Sequence, residues 1–89
     1  MSAKEISEKV IELARERGCL SDNVAVTKDS LLELDLGLDW LDRIELVMDV
    51  EEALGIDLHD EDVDELKRVG DLVKAAQRQD RRKAEEEAV

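Results

Sequence analysis

No proline occurs anywhere in the 89 residues, and Trp40 is the only aromatic side chain. Without proline every segment is open to helix, because no residue removes a backbone donor or clashes with the preceding turn. With one aromatic, the core has to be built from Leu, Ile, Val and Ala. An all-β fold is therefore not expected. The length allows one domain, near the size at which a single core only just offsets the entropy of ordering the chain.

The helical segments announce themselves by caps and by apolar spacing. Ser2-Ala3-Lys4-Glu5 has the S-x-x-E form of a capping box, and Ile6, Val10, Leu13 and Ala14 follow on one face, which predicts a first helix to about Arg17 with Gly18 as its stop. From Leu20 to Leu38 no helical period is sustained, although Val24, Val26, Leu31, Leu32, Leu34 and Leu36 are apolar. That pattern describes a long loop tacked to the core, and such loops are more often functional than idle. Asp39 suits an N-cap for a second helix, in which Leu41, Ile44, Val47, Met48 and Leu54 share one broad side and which Gly55 closes. After a short extended link, Ile56-Asp57-Leu58, Asp60 is expected to cap a brief third helix through Leu66. Gly70 to about Lys83 reads as a fourth helix with Leu72, Val73 and Ala76 inward. The expected organisation is a single domain over residues 1–83 and a frayed tail over 84–89.

Charge is distributed unevenly. The formal net charge is -12, and residues 35–65 hold 13 acids against Arg43 alone, so this one segment carries the entire imbalance. Nucleic acid is excluded as a partner, because a phosphate-binding surface needs clustered Lys and Arg. A solvated helix face and a docking surface for basic partners both fit such a run of acids. Cys19 has no second cysteine to pair with and reads as a small buried or half-buried thiol. His59 has no second histidine beside it and reads as a surface or capping residue; no metal site is expected, since the Asp35-Gly37-Asp39 and Asp57-His59-Glu61 runs lack the glycine and glutamate of a calcium loop. No apolar run is long enough to span a bilayer and no signal-peptide segment opens the chain, which makes the cytoplasm the expected location.

One stretch is worded too specifically to be a generic helix. Asp35-Leu36-Gly37-Leu38-Asp39-Trp40-Leu41-Asp42-Arg43-Ile44-Glu45-Leu46-Val47-Met48 resembles the acyl carrier protein pattern D-L-G-x-D-S-L-D-x-x-E-L-V-M, and Glu51 to Leu58 with Asp60-Glu61 continue the likeness. The resemblance covers about residues 4–76. It implies an all-α fold: a right-handed bundle of three main helices plus one short helix, with the long loop between the first and second. It further implies a partner-docking surface on the second helix, here Asp39, Leu41, Asp42, Glu45, Met48, Glu51 and Glu52, and an acyl cleft for which Ile44, Leu58 and Val63 are candidates.

Trp40 stands where that family carries its attachment serine. The serine hydroxyl of the family holds 4'-phosphopantetheine as a phosphodiester, whose terminal thiol carries the acyl group; indole has only an N–H donor and no oxygen nucleophile. No cofactor is therefore expected on this chain. Neither Ser30 nor Ser21 is framed by an equivalent motif, and nothing near Cys19 marks an activated thiolate. The expected role is a non-enzymatic docking module for acyl-processing enzymes with basic patches, in fatty-acid, polyketide or related biosynthesis, monomeric when free. Two alternatives stay open: an ordinary acyl carrier whose serine has been substituted in this chain, and a structural or regulatory subunit that fills an interface.

Overall fold

A computed structural model describes residues 1–19, 23–58 and 61–87. It contains three α-helices, α1 (Ala3–Arg17), α2 (Trp40–Leu54) and α3 (Val69–Glu87), with a single 3₁₀ turn (Val63–Glu65) before α3. No strand forms among the described residues, and the all-α expectation holds. The capping box at the head of α1 is made as the sequence suggests: the Glu5 N–H donates to Ser2 Oγ at 3.2 Å, and the Ser2 N–H donates to Glu5 Oε1 at 3.4 Å. Gly18 ends α1, yet in an ordinary right-handed conformation; Cys19 takes the left-handed one at φ 54°. That turn points Cys19 outward, so the thiol is exposed instead of half-buried.

Gly55 closes α2 at φ 65°, the left-handed region that glycine enters without a Cβ penalty. Its carbonyl accepts from Lys83 Nζ at 2.9 Å, which ties the end of α2 to α3. Gly55→Ala is expected to lower stability by about 1 kcal/mol, read as a shifted urea midpoint at unchanged slope. The expected third helix is reduced to the 3₁₀ turn, because Asp62 supplies the cap by accepting from the Asp64 N–H at 3.0 Å. Asp60, expected to cap it, lies outside the described residues, as do His59 and Ser21. α3 runs to Glu87, past the expected end near Lys83, since nothing between Ala84 and Glu87 interrupts a helix.

The core is aliphatic throughout. Ile6, Val10 and Ala14 of α1, Leu46, Val47 and Val50 of α2, and Val69, Leu72, Val73, Ala75 and Ala76 of α3 are buried, with α1 packed against both other helices. The long loop adds Val26, Leu32, Leu36 and Leu38 to that core. It is fixed at the head of α3 by backbone bonds: the Leu32 N–H donates to the Lys67 carbonyl at 2.9 Å, the Val69 N–H to Ser30 at 3.0 Å, and the Gly70 N–H to Lys28 at 2.8 Å. A Cβ on Gly70 would stand 3.0 Å from that Lys28 carbonyl, so the close approach relies on glycine.

Candidate docking face at the head of the second helix

Asp39 and Asp42 set the geometry of the site. The Asp42 N–H donates to Asp39 Oδ1 at 2.8 Å and the Asp39 N–H to Asp42 Oδ2 at 3.2 Å, a reciprocal cap that fixes the first turn of α2 and satisfies two donors at its positive end. Trp40 is the first helical residue and is 56% exposed. The sequence treats Leu41, Ile44, Val47, Met48 and Leu54 as one apolar side, and the structure divides them. Leu46, Val47 and Val50 face the core, while Leu41 and Met48 are 57% and 59% exposed. The division follows helix periodicity, because Leu41, Met48 and Glu52 fall seven and four residues apart and are all exposed, with Glu45 beside them at the edge that meets Arg17 of α1.

The acids on this helix are not equivalent. Glu45 accepts from the Arg17 guanidinium at 2.7 Å, and Asp49 accepts from the same guanidinium. The pKa of Arg17 is raised, chiefly by the hydrogen bond to Asp49; desolvation opposes this, and the charges of Asp49, Glu45 and Asp42 reinforce it. A raised folded pKa stabilises at all pH below the unfolded value, and arginine lies far above neutrality, so the clamp does not loosen through the neutral range. Glu51 turns the other way: its Oε2 accepts from the Leu58 N–H at 3.0 Å and braces the link after Gly55. Glu52 is exposed, and Asp39 and Asp42 are committed to the cap.

The three cleft candidates are also distinct in their surroundings. Ile44 and Val63 are half-buried, and Leu58 is 1% exposed and belongs to the core itself. Two features escaped the sequence. Arg17 has no local signal, since its partners lie 28 and 32 residues away, although the i,i+4 spacing of Glu45 and Asp49 is what one guanidinium can span. Leu34, in the loop, is the most exposed of the large apolar side chains among the described residues, at 80%.

Among the described residues, no serine or threonine supplies a hydroxyl at the head of α2 in place of Trp40. Ser30 is buried, and its Oγ accepts from the Thr27 N–H at 2.9 Å; Ser2 is engaged in the α1 cap. As it stands, the face can bind through acids and exposed apolar groups, and Trp40 itself offers no oxygen for phosphodiester formation.

The comparisons with known proteins agree with this architecture. A family model described as a phosphopantetheine attachment site matches residues 8–76. The acyl carrier protein of Lactobacillus johnsonii is 37% identical over 73 residues, covering 82% of this chain and 90% of that one. The acyl carrier protein of Prochlorococcus marinus is 42% identical over 74 residues, covering 83% and 91%. The mitochondrial acyl carrier protein of Saccharomyces cerevisiae is 36% identical over 76 residues, covering 82% of this chain and 61% of that one. By the family match and by these identities the chain belongs to the acyl carrier protein family, whose members are non-catalytic carriers.

Proposed function

We propose that this chain is a docking module of the acyl carrier type that binds acyl-processing enzymes of fatty-acid, polyketide or related biosynthesis through α2 and carries no phosphopantetheine. The observation that supports this best is the exposed row Trp40, Leu41 and Met48 set among acids at the head of α2, with indole where the family's hydroxyl is expected. Acids around a small apolar patch suit Arg- and Lys-rich partner surfaces, giving fast encounter and easy release. Free, the chain is a monomer. A cytoplasmic location fits the unpaired Cys19, while the yeast relative's name shows that a mitochondrial one occurs in the family.

The test is association with a ketosynthase bearing a basic docking patch. Reversing Glu45 and Glu52 to lysine is expected to slow association about tenfold at low salt, and wild-type binding is expected to weaken as salt rises. Lys9→Ala is the control and should change neither. Arg17→Gln should do the opposite of the reversals, since it releases Glu45 and Asp49 from their internal partner and speeds encounter. Salt-insensitive binding would favour the interface-filling subunit.

Trp40 is the only tryptophan, so its fluorescence reports on this face alone. Free protein is expected to emit at long wavelength and to be quenched readily by acrylamide, with a blue shift on partner binding. Blue, quench-resistant emission from the free chain would instead indicate an indole folded over the cleft as an acyl mimic.

A second reading has its own support. The reciprocal Asp39–Asp42 cap and the surrounding motif are intact, as they would be in a working carrier whose serine alone has been replaced. Restoring the hydroxyl tests both readings.

A further inference from the structure

Arg43 is the single Lys or Arg between residues 35 and 65, and its Nε is buried with no hydrogen-bond partner among the described residues. That is unexpected in a chain with 25 acids. The other anchored cations have found acceptors: Arg17 on Glu45 and Asp49, Arg78 on Glu61, Arg68 on the Asp29 carbonyl and Lys83 on the Gly55 carbonyl. A buried guanidinium N–H that has lost water without gaining an acceptor is a donor held ready for one.

Arg43 lines a pocket of about 170 Å³ together with Leu31, Leu34, Lys67 and Glu33. The backbone brings these groups together from three parts of the chain. The Leu32 N–H donates to the Lys67 carbonyl at 2.9 Å, and the Lys67 N–H donates to Asp71 Oδ2 at 3.0 Å, which fixes Lys67 beside the loop. Leu31 is half-buried and Leu34 is 80% exposed, so one side of the pocket is an apolar wall that runs out to solvent. Trp40, Ile44, Leu58 and Val63 are not among its lining residues.

We infer that this pocket binds a short- or medium-chain carboxylate without covalent attachment, the head group between Arg43 and Lys67 and the alkyl tail along Leu31 and Leu34. Among the lining residues two cations stand against the one carboxylate of Glu33, while the neighbouring Asp35 and Asp71 carboxylates accept from the Leu31 and Lys67 N–H groups, and the planar guanidinium matches a carboxylate by geometry as well as by charge. At about 30 Å³ for each water-sized group the pocket holds roughly five or six heavy atoms, and a longer tail continues over Leu34. The chain's overall negative charge works against the ligand, but exposed charges are screened beyond about 8 Å at physiological salt. The site is consequently weak, with a dissociation constant of about 1 mM. It does not depend on the α2 docking face or on the lost attachment hydroxyl.

The experiment is titration of the full chain with sodium hexanoate, followed by NMR of the leucine methyl groups and the Arg43 Nε–H. Saturable shifts are expected at Leu31, Leu34 and Arg43. Arg43→Gln should weaken binding about tenfold and Lys67→Gln about threefold. Hexanol, which keeps the tail and loses the charge, and inorganic phosphate, which keeps charge and loses the tail, should each bind at least several-fold more weakly. The inference is overturned if hexanoate gives no saturable shift at these residues, if hexanol or phosphate binds as well, or if Lys67→Gln leaves the affinity unchanged. Lys67 is exposed, so that variant decides the matter even should Arg43→Gln fail to fold.

Discussion

Trp40→Ser is expected to convert a chain that gains no mass from coenzyme A and a promiscuous phosphopantetheinyl transferase into one that takes up a single phosphopantetheine arm. The expectation rests on chemistry and placement together. Transfer requires an oxygen nucleophile at the head of α2; indole has none, and Ser30, the nearest described serine upstream, is buried and bound to Thr27. The first turn is already fixed by Asp39 and Asp42, neither of which uses the Trp40 side chain. Trp40 is 56% exposed, so serine gives up only the covered remainder, about 1–2 kcal/mol, out of a reserve that is roughly 5–13 kcal/mol for a domain of this length. The readout is intact mass before and after incubation, with circular dichroism to establish that the variant is folded. A folded Trp40→Ser chain that stays unmodified would count against both carrier readings. Uptake by the wild-type chain would locate the arm elsewhere and end the claim that the attachment chemistry is lost.

The second large effect is on stability. Leu46 is fully buried at 0% exposure, two residues from Met48 at 59%, and the two differ little in size and hydrophobicity. Leu46→Ala is expected to cost about 3 kcal/mol, from lost transfer energy and from the cavity left among aliphatic neighbours that cannot close over it. That loss is roughly a quarter to three-fifths of the reserve and should lower the melting temperature by more than about 10 °C. Met48→Ala should stay within about 0.5 kcal/mol, because its side chain meets mainly water. Urea midpoints at constant slope measure both. Equal losses at the two positions would mean that α2 is rotated about its axis relative to the arrangement described, and the docking face would then have to be redrawn.

That contrast marks where reading the sequence stops. The spans of α1 and α2, the Ser2–Glu5 and Asp39 caps and the Gly55 stop were legible because each depends on residues within four positions of one another. The face of α2 was not. Leu41, Ile44, Leu46, Val47, Met48, Val50 and Leu54 spread apolar side chains around much of the helix, so periodicity allows more than one orientation. Glu51 and Glu52 look alike in sequence, and only the position of Leu58 turns one of them into a backbone brace.

What the sequence determined by itself is the helical class, the acidic segment, the likeness to acyl carriers and the absence of a hydroxyl at Trp40, all properties of residue identity or of near neighbours. What the tertiary structure decided is which apolar groups on α2 are left in water, which acids Arg17 claims, and that Arg43 lines a pocket with Lys67 while its Nε has no acceptor among the described residues. Those outcomes depend on contacts between segments far apart in the chain, such as the 28 and 32 residues between Arg17 and its two acids, and such contacts follow from how three helices and a loop share one small core.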